Sequence, residues 1–168
     1  MADIRPARPE EFALLGPIED EAGERFSDIG MSLGAPVPVA DRGEVPLAVL
    51  VSGDPPVGFA WLNLVCVEAH IEELAVLQRV GRRGLGRALV EASCAWAEEA
   101  GYRSVTLCTY RDVPWNGPFY RSAGFVELES EAWCPELAAL RATERAHGLD
   151  DFGPRVVMIR HLRAARTT

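Results

Sequence analysis

Apolar and polar positions follow two rhythms along this chain. "LAVLVSG" is a short apolar run ending in the turn "GDPP", and "VGFAWLNLVCVE" and "HIEELAVL" follow it; together they predict three strands. Before them, "ADIRPARP" predicts a short first strand, and residues 10–30 carry a mixed, helix-like pattern. Residues 31–46, "MSLGAPVPVADRGEVP", hold enough Gly and Pro to predict a loop. In "GRALVEASCAWAEEAGY", Ala88, Leu89, Ala92, Ala95 and Trp96 fall at helical spacing, and Gly101 is placed to cap that helix. "SVTLCTY" predicts a strand. "WNGPFYRSAGF" predicts a short helix, with Asn116 as its cap, Pro118 in its first turn and Gly124 stopping it. A strand "FVELES", an amphipathic helix "PELAALRATERAHG" and a closing strand "RVVMIRHL" complete the order. Helices inserted between runs of strands make this an α+β chain. Its length suggests one domain over residues 1–168, large enough for a substantial core.

The stretch "GRRGLGRALV" interrupts this pattern between a strand and a helix. A helix N-terminus exposes unpaired N–H groups and carries about half a positive charge. Gly84 and Gly86 would let a phosphate approach those groups closely, and Arg79, Arg82, Arg83 and Arg87 add guanidinium charge beside them. The stretch reads as an anion site, best suited to a pyrophosphate; the plainer alternative is a tight turn with solvated arginines. A dinucleotide fingerprint fails because its third glycine would fall at Leu89, and a Walker loop fails for want of a following Gly-Lys-Ser/Thr.

The run "HIEELAVLQRVGRRGLGRALVEASCAWAEEAGYRSVTL", followed by "WNGPFYRSAGF", resembles the GNAT superfamily of acyl-CoA-dependent N-acyltransferases over residues 47–128. Leu74 and Val76 match the family's strand end, Gly84 and Gly86 its two small loop positions, and "FYRSAGF" its Tyr-x-x-x-Gly-Phe. Three positions depart from the family pattern. Gly81 stands where Gln or Arg is usual, Gln78 where proline is frequent, and Val113 where an asparagine precedes the tyrosine. The resemblance implies a central, mostly antiparallel mixed sheet of six to seven strands with about four helices. It also implies acetyl transfer from acetyl-CoA to a primary amine by direct attack. Coenzyme contacts fall on the backbone of Leu74, Ala75 and Val76 and on Gly81, Arg82, Arg83, Gly84, Leu85, Gly86 and Arg87. Asn116 either contacts the coenzyme or only caps its helix.

Amide formation from a thioester needs a neutral amine, an oxyanion stabiliser and a proton for the leaving thiolate. Strand alternation places His70, Glu72, Leu74 and Val76 on one face, and Ile71, Glu73 and Ala75 on the other. By resemblance, the general base falls at Glu72, acting through a water, or at His70, whose ordinary pKa near 6.5 suits the role. Glu73 takes it if a bulge shifts the register. The backbone N–H groups of residues 74–76 would polarise the carbonyl, and Tyr120 matches the family's general acid. The other reading of Tyr120 is a core aromatic beside Phe119 and Phe125. A non-catalytic acyl-CoA-binding regulatory module with the same fold is the alternative to the enzyme.

Charge narrows the partners. Seventeen basic against 25 acidic residues give a net charge of −8, which disfavours nucleic acid and suits a cationic amine. No apolar run approaches the roughly 20 residues of a membrane span. "MADIRPARPEEF" lacks a signal-peptide pattern, so a cytoplasmic protein is expected. The three histidines have no metal-ligand spacing, so no metal is expected. Cys66, Cys94, Cys108 and Cys134 form no CxxC pair and read as free thiols. A homodimer through the C-terminal strand is a further expectation of the resemblance.

Overall fold

A computed structural model describes residues 3–33 and 37–163. Residues 34–36 of the expected loop and Ala2 of the expected first strand lie outside the described residues. The strands are β1 (Ile4–Pro6), β2 (Ala48–Ser52), β3 (Gly58–Val65), β4 (Glu68–Val76), β5 (Ser104–Tyr110), β6 (Val126–Glu127) and β7 (Arg155–His161). The helices are α1 (Phe12–Gly23), α2 (Leu85–Glu99), α3 (Gly117–Ser122) and α4 (Pro135–Ala146). All seven strands join one mixed sheet in the order β1-β2-β3-β4-β5-β7-β6. The predicted sheet and helices are therefore present. β6 is shorter than "FVELES" suggested, and a 3-10 turn, Val39–Asp41, interrupts the expected loop.

The chain divides into two compact units. The first takes in the chain up to Asn63 together with Ile71–Ser93. β1 pairs antiparallel with β2, and β2 with β3. Their inward residues Val49, Val51, Phe59 and Trp61 meet Leu15 and Ile18 of α1, and Val39, Ala75 and Leu77 close the cluster. Leu15, Ile18 and Ala22 recur at helical spacing, so one stripe of α1 is apolar and buries itself against the sheet. Gly58 opens β3 with little room for a side chain: a Cβ there would lie 3.0 Å from the Ala75 carbonyl of β4 and 3.4 Å from Leu89 of α2.

The second unit takes in Leu64–His70 and the chain from Cys94 onward. β7 pairs antiparallel with β5 along its whole length, from Ser104↔His161 to Tyr110↔Arg155, and with β6 on its other side. Glu68 accepts hydrogen bonds from the Arg103 and Ser104 N–H groups, at 2.8 and 3.0 Å. In α4, the guanidinium of buried Arg141 binds both carboxylate oxygens of Asp150 at 2.9 and 2.8 Å and also pairs with Glu144. These bonds fix α4 to the segment that leads into β7.

The helix expected from Ala88, Leu89, Ala92, Ala95 and Trp96 is present as α2; its buried residues are Leu89, Val90, Ser93, Cys94 and Ala97, whereas Ala95 is exposed. Small alanines mark a helix but do not mark its face. The expectation for the cysteines needs correction. Cys66 and Cys134 form a disulfide with their Cα atoms 6.1 Å apart, while Cys94 and Cys108 are not disulfide-bonded. The two partners lie 68 residues apart, one at a hairpin tip and one at a helix start, and only the folded chain brings them together.

Candidate functional site

The Gly–Arg stretch forms the entry to α2. After β4, residues Gln78–Val80 make one 3-10 turn. Arg82 (φ 62°) and Gly84 (φ 77°) then take left-handed backbone conformations before the helix begins. A non-glycine residue in that region costs roughly 1–2 kcal/mol, so Arg82 holds its conformation against a local penalty. The first intrahelical bond runs from the Ala88 N–H to the Gly84 carbonyl at 2.9 Å. The N–H groups of Leu85, Gly86 and Arg87 therefore have no partner within the helix. Arg87 lies 3.9 Å from Glu91 and Arg79 lies 3.8 Å from Glu21. Among the described residues, Arg82 and Arg83 form no ion pair.

α1 steadies this loop. Gln78 donates its backbone N–H to the Glu21 carboxylate at 3.0 Å and its side-chain amide to the Glu21 carbonyl at 2.8 Å. Arg25, in the 3-10 segment Glu24–Ile29, was not foreseen. Burial, and then the charge of Arg82, hold its guanidinium below its ordinary pKa. Two like charges are thus gathered near one loop.

Along β4, Ala69, His70 and Ile71 are all buried, because this central strand is covered on both faces. Alternation therefore could not tell which of its polar residues reach solvent. His70 is 1% exposed, and its Nδ1 is 2.8 Å from Thr106 Oγ1. Burial lowers its pKa from the ordinary 6.5 to about 4, so the imidazole is neutral. The unfolded chain binds the extra proton between those two values, so acid favours unfolding there. On the order of 3 kcal/mol of stability should be lost as the pH falls from about 6.5 to about 4. Denaturation of the wild type and of His70→Asn across that range checks this, with the variant expected to lose most of the slope.

Glu72 and Glu73 are both half-buried but differ in partners. Glu72 pairs with Arg42 Nη1 at 3.0 Å. Arg42 also approaches Glu19 at 3.6 Å and donates from Nε to the Val37 carbonyl at 2.9 Å. Buried Glu19 accepts the Val39 N–H at 2.8 Å. Burial raises the Glu19 carboxyl above its ordinary pKa, against the pull of that N–H and of Arg42. Glu73 accepts the Leu74 N–H at 3.2 Å. Burial, then the charge of Glu19, and more weakly that of Glu72, push its carboxyl up to about 8. Three carboxyls thus share one guanidinium. Glu19 and Arg42 were missed in the sequence. A signal existed for Glu19, which lies four residues after Leu15 on the apolar stripe of α1. None existed for Arg42, which stands in a motif-free loop.

Asn116 does not cap α3 through its side chain. The helix opens instead on the Asn116 carbonyl, which accepts the Tyr120 N–H at 2.9 Å. Asn116 Oδ1 accepts from Thr109 Oγ1 at 2.6 Å, and its buried Nδ2 has no partner among the described residues. The next residue must be glycine, since a Cβ at Gly117 would collide with the Arg111 carbonyl. Tyr120 is buried, with its ring edge-to-face against Phe119 and Phe125 at 5.0 and 5.8 Å. Trp61 and Trp133 are structural: Trp61 lies in the core, and Trp133 Nε1 donates to the Leu128 carbonyl at 2.8 Å.

A strand that ends in a glycine–arginine loop leading into a helix N-terminus, within this seven-strand order, defines an acetyltransferase fold. The sequence matches the model of the Acetyltransferase (GNAT) family over residues 10–125, and the chain belongs to that family. Solved structures share the fold at low identity. One is the PaiA N-acetyltransferase from Thermoplasma acidophilum in complex with coenzyme A, at 13% identity and TM-score 0.67, covering 96% of this chain and 99% of that one. Another is the ribosomal-protein-S18-alanine N-acetyltransferase from Escherichia coli, at 20% identity and TM-score 0.63, covering 100% and 99%. A GNAT-family acetyltransferase from Staphylococcus aureus Mu50 matches at 11% identity and TM-score 0.70, covering 97% and 100%. Among the described residues, no helix is long and apolar enough to cross a membrane.

Proposed function

We propose that this chain is a single-domain N-acetyltransferase that moves an acetyl group from acetyl-CoA to a primary amine. The observation that carries the reading is the loop after β4. Left-handed backbone at Arg82 and Gly84, first-turn N–H groups with no partner within the helix, and Arg82 and Arg83 without an ion pair among the described residues suit a pyrophosphate there. The coenzyme in the Thermoplasma structure supports acetyl-CoA as the donor. The open Nδ2 of Asn116 favours the ligand-contact reading of that residue over the cap.

Glu73 is the better base. Burial and the Glu19 charge push its carboxyl up to about 8, which makes it the stronger proton acceptor once ionised, whereas Glu72 is held by Arg42 and His70 is buried and neutral. The amine nitrogen attacks the acetyl carbon and passes a proton to Glu73. Backbone N–H groups of residues 74–76 stabilise the oxyanion, the C–S bond breaks, and Tyr120 protonates the thiolate.

Release of coenzyme A thiol, followed with polyamines, amino acids and peptide N-termini as acceptors, tests the enzyme reading. Turnover with at least one acceptor supports it. Acetyl-CoA binding without turnover on any of them would favour the regulatory module. Tyr120→Phe should lower kcat by about 10²-fold and leave the Kd for acetyl-CoA within twofold, by stopped-flow and calorimetry respectively.

A further inference from the structure

The Cys66–Cys134 pair includes no residue assigned to acetyl transfer, and its surroundings are unusual for an inert crosslink. Both sulfurs belong to half-exposed residues. Cys134 is the N-cap of α4, and its Sγ accepts the Leu137 N–H at 3.4 Å. A 12-residue helix thus directs its positive end and an N–H group at this sulfur, which stabilises a thiolate.

Cys66 and Val67 form the two-residue turn between β3 and β4, with φ of 55° and 59°. Turns of this kind favour Asn-Gly, and a β-branched valine is costly in the left-handed region. The turn therefore places a cysteine at the tip against its local preference. Glu136, in the first turn of α4, accepts the Cys66 N–H. That bond does not involve either sulfur, so it can keep the tip beside the helix start when the sulfurs are reduced.

We infer that Cys134 is a thiol–disulfide exchange site with Cys66 as its resolving thiol, and that its reaction partner is a low-molecular-weight disulfide such as glutathione disulfide. The Cys134 thiolate attacks one sulfur of that disulfide; a mixed disulfide forms on Cys134 and one thiolate leaves. Cys66 then loses its proton to solvent and attacks Cys134 Sγ; the protein disulfide forms and the second thiolate leaves. Two protein thiols become one disulfide, and one small disulfide becomes two thiols. Cys134 reacts first because, of the two sulfurs, its own accepts the helix N–H from Leu137; the Glu136 carboxylate lies within 4.8 Å of both sulfurs and does not distinguish them.

The test equilibrates full-length protein in glutathione buffers of graded ratio, quenches with an alkylating reagent and maps each cysteine by mass spectrometry. Cys66 and Cys134 are expected to interconvert together across the series. Cys66→Ser should accumulate glutathione on Cys134 at least tenfold faster than Cys134→Ser accumulates it on Cys66. If either variant fails to fold, timed alkylation of the reduced wild type replaces it, and Cys134 should be modified first. A pair that stays oxidised in millimolar reduced glutathione, or two cysteines that react at equal rates, overturns the inference. So does one zinc ion per chain in the purified protein, lost in Cys66→Ser, which would make the cluster a metal site.

Discussion

Replacing Glu73 by Gln should lower kcat/KM on the order of 10²–10³-fold and abolish one limb of the pH profile. In the free protein burial and the Glu19 charge raise the Glu73 carboxyl to about 8. It therefore holds its proton at neutral pH and releases it as the pH rises, and only the ionised form accepts a proton from the amine. Wild-type kcat/KM should rise through about pH 8. With the same acceptor, the variant should keep only the rise that belongs to the amine itself. Glu19 and Glu73 titrate as a pair, so Glu19→Gln should move the wild-type midpoint down by removing a neighbouring negative charge. Glu72→Gln should cost far less, because Glu72 is neutralised by Arg42. A full loss of activity in Glu72→Gln with little loss in Glu73→Gln would transfer the role to Glu72.

Gly84→Val should raise the Kd for acetyl-CoA tenfold or more while the protein stays folded. No atom lies within 4 Å of a Cβ built at Gly84, so the fold has room for a side chain. Two costs remain. A φ of 77° strains any L-residue by roughly 1–2 kcal/mol, and a branched one by more. The added methyl groups also occupy space beside the amides that would receive phosphate. Gly84→Ala bears mainly the first cost and should weaken binding less. Calorimetric titration of both variants, with thermal melts as a control for folding, checks this. An unchanged Kd in Gly84→Val would mean the loop does not hold the coenzyme.

Much of the fold was legible because short β-branched runs and helical spacing are local signals. The glycine–arginine loop was legible for a similar reason: its glycines and its position after a strand are local features, and the structure gives Gly84 the left-handed backbone conformation that glycine allows. The carboxyl cluster was not. Glu72 and Glu73 are adjacent, and only the burial on each face of β4, with Glu19 and Arg42 brought in from α1 and the loop beyond it, distinguishes them. His70 has the ordinary pKa of a base, yet a central strand with both faces covered makes it a buried neutral partner of Thr106. The reading of Asn116 as a helix cap followed common usage, but its Oδ1 accepts from Thr109 instead of from the helix N–H groups. The Cys66–Cys134 pair spans 68 residues, and no local pattern could report it.

Titration of the wild-type protein with acetyl-CoA, and separately with ADP and ATP, tests the central claim most directly. The account predicts one-to-one micromolar binding of acetyl-CoA and at least tenfold weaker binding of the nucleotides. No binding of acetyl-CoA, or equal affinity for all three ligands, would contradict it.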